Sequence, residues 1–238
     1  MEYEFTIVVP LYNEAPNLLR VEQELEKYLL KAPVKACVLF VNDGSTDGSL
    51  QLVQEIARRN PHFSYLSFDR NYGLSTALKA GFDHAQTPLI GYIDSDLQTD
   101  PNDFDLLLEY IGEYDLVTGV RTNRKDSFTK NISSLVANLI RRSFTQDGMD
   151  DTGCPLKVIK AGHAKRIPMF KGLHRFLPAM ILLQNGNIKQ VPVRHYERIA
   201  GRAKFHLLNR LIKPLMDCFA FLWMRRNYIN YEIAQTNE

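Results

Sequence analysis

The sequence predicts an α/β fold, a mainly parallel sheet flanked by helices. Three observations carry that reading. Short β-branched apolar runs alternate with stretches of helical hydrophobic spacing through the first half of the chain, the pattern of repeated βαβ units. The runs are continuously apolar rather than alternating, as strands covered on both faces are. Acids and turn residues gather where the runs end, which suits a sheet whose ligands bind beyond the carboxyl ends of its strands.

Taken in order, Phe5-Thr6-Ile7-Val8-Val9-Pro10 is the first strand, and Leu11 to Glu14 form a loop. A helix follows, with Leu18, Val21, Leu25 and Tyr28 on one face. Cys37 to Val41 form the second strand, which runs into Asn42-Asp43-Gly44-Ser45-Thr46-Asp47, a turn and helix-start signal. The next helix shows Leu50, Val53 and Ile56. Tyr65 to Phe68 read as a short third strand, and Leu74, Leu78, Gly81, Phe82 and Ala85 as the stripe of a third helix. Pro88 to Ile93 form a fourth strand that stops in Asp94-Ser95-Asp96-Leu97-Gln98. A helix through Phe104, Leu107, Leu108 and Ile111 and a strand over Asp115 to Gly119 come next. Arg121, Arg124, Lys125 and Asp126 make a polar loop before a helix from about Ser127 to Phe144. An extended stretch near Thr152 to Ile159, a helix over Leu177 to Leu183 and a last strand over Ile188 to Val193 complete the pattern, with right-handed crossovers expected. The end of the chain changes character. Phe205, Leu208, Ile212, Leu215, Phe219 and Leu222 share a helical face beside Arg210, Lys213, Arg225 and Arg226, and Pro214 is expected to break this into two short helices. Such a segment lies in a bilayer interface or docks on the chain's own core.

A chain of 238 residues with 45% hydrophobic and 24% charged residues fits one large α/β domain or one domain with a substantial extension. The formal net charge of +2 argues against a surface built for nucleic acid. Three well-separated cysteines without metal-ligand spacing point to reduced, mostly buried thiols in a cytosolic compartment. No signal-peptide pattern opens the sequence, and no apolar run reaches the ~20 residues that span a bilayer. The expectation is a protein that is soluble or lies on a membrane.

Asp is a poor strand former, so Asp94 and Asp96 at a strand tip call for a reason. A hard divalent cation shared with a substrate phosphate supplies one. An acidic turn before the next helix is the simpler alternative, with Asp100 as N-cap and Pro101 at the first helical position. If the first, second and fourth strands are parallel neighbours, Pro10 to Glu14, Asp43, and Asp94 to Gln98 line one cleft. Acids near the first two strands suit a base or ribose, and the later pair suits Mg²⁺ or Mn²⁺ on a diphosphate. Neither a Gly-x4-Gly-Lys-Ser/Thr loop nor a Gly-x-Gly-x-x-Gly turn after the first strand is present.

Val8-Val9-Pro10-Leu11-Tyr12-Asn13-Glu14, Val41 to Gly48, and Asp94-Ser95-Asp96-Leu97-Gln98 resemble the signatures of family 2 glycosyltransferases with the GT-A fold. Gly119-Val120-Arg121, Asp151-Thr152-Gly153, His174 to Pro178 and Arg198-x-x-Gly201-x-x-Lys204 are similar to the polyprenyl-phosphate sugar transferases, the dolichyl-phosphate mannose synthase group. The resemblance covers roughly residues 5 to 205 and implies a GT-A catalytic domain over 1–203 with an amphipathic helical tail over 204–238. It implies that Pro10, Tyr12, Glu14 and Asp43 hold the nucleoside and that Asp94, Asp96 and Gln98 hold metal and diphosphate, Asp96 most directly. Arg121 matches a position associated with the acceptor phosphate, and Arg198 and Lys204 positions near the donor diphosphate. Two departures stand out: Gly201-Arg202-Ala203-Lys204 lacks the usual serine hydroxyl, and the C-terminal transmembrane helices of many relatives are missing.

The implied function is an inverting, metal-dependent transfer from a nucleoside-diphosphate sugar to a polyprenyl phosphate, by a peripheral protein at the inner face of the cytoplasmic membrane. A phosphomonoester is largely a dianion at pH 7 and attacks without a base, with Arg121, Arg124 and Lys125 available to position it. A sugar hydroxyl on a glycan or glycolipid would need a carboxylate base, for which Asp151 is the candidate. Otherwise Asp151 is a loop acid that caps or pairs with Lys157, and the arginines are a solvated face. A non-catalytic nucleotide-sugar-binding protein docked on membranes is the rival from another class.

Overall fold

The structure, a computed structural model, describes residues 2–121, 142–196, 212–231 and 234–235. The elements are β1 (Phe5–Leu11), α1 (Ala15–Leu29), β2 (Ala36–Asn42), α2 (Ser49–Arg59), β3 (Phe63–Ser67), α3 (Leu74–His84), β4 (Leu89–Tyr92), α4 (Phe104–Leu108), β5 (Leu116–Arg121), β6 (Lys157–Lys160), α5 (Ala161–Arg166), α6 (Leu177–Leu183), β7 (Ile188–Val193) and α7 (Ile212–Asn227). The strands form one sheet in the order β3-β2-β1-β4-β6-β5-β7. β6 runs antiparallel to both its neighbours, and the other described pairings are parallel.

β1 is buried along its whole length because both faces are covered. Phe5, Ile7, Val9 and Leu11 enter one core with Leu18, Val21, Leu25 and Tyr28 of α1 and Val53 and Ile56 of α2. Val8 enters the other, with Leu78 and Phe82 of α3, Met180 and Ile181 of α6, and Phe221 of α7. α3 comes close to β1 because Gly81 has no side chain, since a Cβ there would sit 2.4 Å from Val8 Cγ1. On the first face, Phe104 lies edge-on to Phe5 at 5.3 Å.

Two expectations are corrected. The third strand spans Phe63–Ser67 rather than Tyr65 to Phe68, because Phe63 supplies its buried anchor. α4 ends at Leu108, and Ile111 reaches the core from a following turn. The described part of the C-terminal segment is the helix Ile212–Asn227, and the residues before Ile212, on which the expected first helix falls, lie outside the described ones. Docking and exposure are both present on α7. Cys218 and Phe221 are buried, and Phe221 stacks on Phe176 at 5.3 Å, while Leu215, Met216, Phe219 and Trp223 are exposed. The three cysteines are free thiols, two of them buried. No helix among the described residues is long and apolar enough to cross a membrane. The region from Thr122 to Arg141, with Arg124, Lys125 and Asp126 in it, and the stretch with Arg198, Gly201, Lys204, Phe205, Leu208 and Arg210 lie outside the described residues.

Candidate active site

β2, β1 and β4 are adjacent and parallel, so their carboxyl ends share one edge of the sheet. The first two ends are laced together. Asn13, in the left-handed conformation that Asn tolerates, donates its N–H to Ser45 Oγ at 2.9 Å and accepts from Thr46 N at 2.8 Å. Glu14 N donates to Ser49 Oγ at 3.0 Å, and Ala15 N to Asp47 Oδ2 at 3.1 Å. Tyr12 and Glu14 are half-buried at this junction, and the Glu14 carboxylate accepts from the Asn17 amide at 2.7 Å. Pro10 is buried within β1, one residue short of its end.

Asp43 is buried, and its carboxylate accepts from Tyr72 N at 2.7 Å, Gly73 N at 2.8 Å and Asn71 Nδ2 at 2.9 Å. Burial pushes its pKa up, and the two backbone N–H groups pull against that. These oxygens hold the turn between β3 and α3. Gly44 makes the turn possible: its φ is +64°, and a Cβ would lie 2.2 Å from the Arg70 backbone.

Beyond β4 the chain bends sharply, and Leu97 takes φ +47°. A branched residue there is uncommon and costs of order 1–3 kcal/mol, a cost the surroundings must offset. Asp96 Oδ1 accepts from Gln98 N at 3.1 Å, and the Tyr92 hydroxyl donates to Asp94 Oδ1 at 2.7 Å. Burial, and behind it the Asp96 charge, push Asp94 up to about 6. That is the state of a crowded acid pair, which a divalent cation would hold ionised. Gln98 donates its side-chain amide to Tyr196 O at 3.3 Å and accepts from Tyr196 N on its backbone oxygen at 2.9 Å, which ties the strand tip to the chain after β7. Asp100 caps the turn at Pro101, as expected, by accepting from Asn102 N at 2.9 Å. No group of three His, Cys, Asp or Glu residues among those described forms a metal cage. Two carboxylates suit a cation whose other ligands are water and substrate phosphate.

Arg121, at the end of β5, grips Asp151 with both arms: Nε to Oδ2 at 2.7 Å and Nη2 to Oδ1 at 2.9 Å. Its backbone N–H also donates to Oδ2, at 3.3 Å. Asp151 also caps its own loop, accepting from Gly153 N at 3.2 Å as the simpler expectation had it, but its ion-pair partner is Arg121 rather than Lys157. The planar fork fits a carboxylate better than an ammonium does. Arg121 and Lys157 both pull the Asp94 pKa down, against burial and the Asp96 charge.

Two contributors went unnoticed in the sequence, Tyr92 and the Asn71-Tyr72-Gly73 turn, and Lys157 enters there only as a partner for Asp151. Lys157 did carry a signal, as a lone cation inside the apolar run from Cys154 to Ile159.

The family model of glycosyl transferase family 2 matches residues 6–164. A dodecaprenyl-phosphate galacturonate synthase from Rhizobium johnstonii is 30% identical over 229 residues, covering 94% of this chain and 68% of that protein. An undecaprenyl-phosphate 4-deoxy-4-formamido-L-arabinose transferase from Edwardsiella ictaluri is 31% identical over 223 residues, covering 89% of this chain and 66% of its own. The chain thus spans about two thirds of the length of these relatives. Glucosyl-3-phosphoglycerate synthase from Mycobacterium tuberculosis, solved with Mn²⁺, UDP and glucosyl-3-phosphoglycerate, superposes with a TM-score of 0.72 at 15% identity, covering 99% of this chain and 84% of that one. A mannosyltransferase from Pyrobaculum calidifontis, solved with GDP-Man and Mn²⁺, gives 0.63 at 18% identity, covering 96% and 70%. At such identities the structural likeness shows the fold, which is GT-A.

Proposed function

Because the chain belongs to glycosyl transferase family 2, we propose that this glycosyltransferase moves a sugar, with inversion, from a nucleoside-diphosphate sugar to a polyprenyl phosphate. Both relatives are named for polyprenyl-phosphate chemistry. The observation that favours a phosphate acceptor over a sugar hydroxyl is the Arg121–Asp151 pair. A hydroxyl acceptor needs a base, and the carboxylate in line for that task accepts two hydrogen bonds from a guanidinium instead. A phosphomonoester brings its own charge. Its oxygen forms the new bond to the anomeric carbon while the bond to the diphosphate breaks and the electron pair leaves with the diphosphate.

In this reading Pro10, Tyr12 and Glu14 border the nucleoside, and Asp43 acts on it by fixing the Asn71-to-Gly73 turn. Asp94 and Asp96, with Gln98 beside them, would hold Mg²⁺ or Mn²⁺, which supplies charge neutralisation for the leaving diphosphate. Arg121 faces the acceptor phosphate, with Arg198 and Lys204 assigned to the donor diphosphate by family position.

The exposed apolar face of α7 fits a membrane surface, where the acceptor lipid resides. Leu215, Met216, Phe219 and Trp223 form one stripe, and Arg225 and Arg226 follow it. Aromatic and basic residues at the edge of an apolar stripe suit the headgroup boundary of an anionic leaflet, here the inner face of the cytoplasmic membrane. Incubation with labelled nucleotide sugars, Mg²⁺ or Mn²⁺ and a polyprenyl phosphate is expected to yield an organic-extractable, acid-labile product. Transfer only to a glycan hydroxyl would overturn the acceptor assignment.

A further inference from the structure

We propose that Lys157 is a positioning residue of the Asp94/Asp96 site, a fixed internal cation that offsets the two carboxylates when no metal is bound. This rests on the metal assignment above and deepens it.

Lys157 opens β6 and is 1% exposed. It lies directly opposite Tyr92 in the antiparallel register of β4 and β6, which sets its side chain beside the metal-binding tip. Its Nζ is held by the carbonyls of Cys154 and Thr152, and no carboxylate lies within ion-pair distance among the described residues. Carbonyl dipoles alone do not repay the several kcal/mol that burying an ammonium costs. The remaining stabilisation must come through space. Nζ stands 5.9 Å from the Tyr92 ring centroid, and the hydroxyl of that same ring donates to Asp94. Burial pulls the lysine pKa down, Cys154, Asp151 and Asp94 hold it up against that, and Arg121 sides with burial.

Counting formal charges, Asp94, Asp96 and Asp151 against Arg121 and Lys157 leave the empty site one negative charge. Without Lys157 it would carry two. The lysine thus competes with the incoming cation and keeps the acid pair from binding it too tightly. It also pins the Thr152–Cys154 loop, and so the position of Asp151 and Arg121.

The test is Mn²⁺ titration by calorimetry on Lys157→Met and Lys157→Arg. Lys157→Met is expected to bind Mn²⁺ about tenfold more tightly and to show lower kcat with little change in donor KM, and Lys157→Arg to restore both. Unchanged or weaker Mn²⁺ affinity in a folded Lys157→Met would overturn the proposal. A second readout needs no variant. In ¹⁵N-lysine-labelled wild-type protein, the Lys157 Nζ resonance should shift on adding Mg²⁺, and a stationary resonance in protein that binds Mg²⁺ would refute the coupling. If neither cation binds the wild type, or if Asp96→Ala binds as well as wild type, the metal assignment itself fails and this proposal with it.

Discussion

Asp151 and Arg121 sit 30 residues apart in sequence, yet they are joined by two charge-assisted side-chain hydrogen bonds. Removing one member of such a buried pair leaves the other charge uncompensated, at a cost of about 3–5 kcal/mol. Asp151→Ala is therefore expected to lose stability of that order in urea denaturation. A catalytic base would behave otherwise, with kcat collapsing while the denaturation midpoint held. Asp96→Ala should do the reverse of Asp151→Ala. Turnover is expected to vanish and the unfolding midpoint to move little, because the loss of the Gln98 N contact, about 1 kcal/mol, is opposed by relief of the repulsion on Asp94. At this scale the sequence marks chemistry better than partnership. Asp94 and Asp96 stand out because acids at a strand tip need a reason. The Asp43 contacts with Asn71, Tyr72 and Gly73 do not, since they depend on a turn 28 to 30 residues away.

Among the elements, α7 separates two kinds of apolar residue on one helix. Phe221 is buried against Phe176, and Phe221→Ala is expected to cost about 3–5 kcal/mol. Met216 and Trp223 are 63% and 70% exposed. A Met216→Glu, Trp223→Glu double variant should keep its stability within about 0.5 kcal/mol per site but lose sedimentation with anionic liposomes. Liposome binding equal to wild type would place the membrane contact elsewhere. Helical periodicity revealed that this segment was amphipathic but not how its stripe was shared. Cys218 and Phe221 found a core to enter, and their neighbours one step around the helix did not. The same logic explains the other elements. β1 and β2 were legible because continuous apolar runs admit few alternatives, whereas β3 slipped by two residues at its start because an edge strand with Ser64, Tyr65 and Ser67 exposed has a weak pattern.

For the molecule as a whole, pH tests the join between α3 and the turn before α6. Burial, and then Arg175, hold His174 down to about 3, and its Nδ1 meets Ser75 Oγ at 2.8 Å. An unfolded histidine titrates near 6.5, so between about 6.5 and 3 the unfolded chain binds the extra proton. Stability from this group is complete above pH 6.5 and is lost as pH falls, with a slope of at most about 1.4 kcal/mol per pH unit. Comparing wild type with His174→Gln by urea denaturation from pH 7 to pH 4 isolates that slope, which the variant should lack. At this scale the sheet has its own seam. β3-β2-β1-β4 and β5-β7 are two parallel blocks, and β6 alone stitches them, pairing with β4 on one side and β5 on the other. The ribosome delivers β4 at Leu89–Tyr92 but does not reach β6 until Lys157. At roughly 5–20 residues per second, the intervening chain takes about 3 to 13 s to make. For that interval the nascent protein carries an unpaired strand edge at Ile90 and Tyr92, a template for wrong partners. The strand that ends in Asp94 and Asp96 is thus made 65 residues ahead of the strand that closes it in.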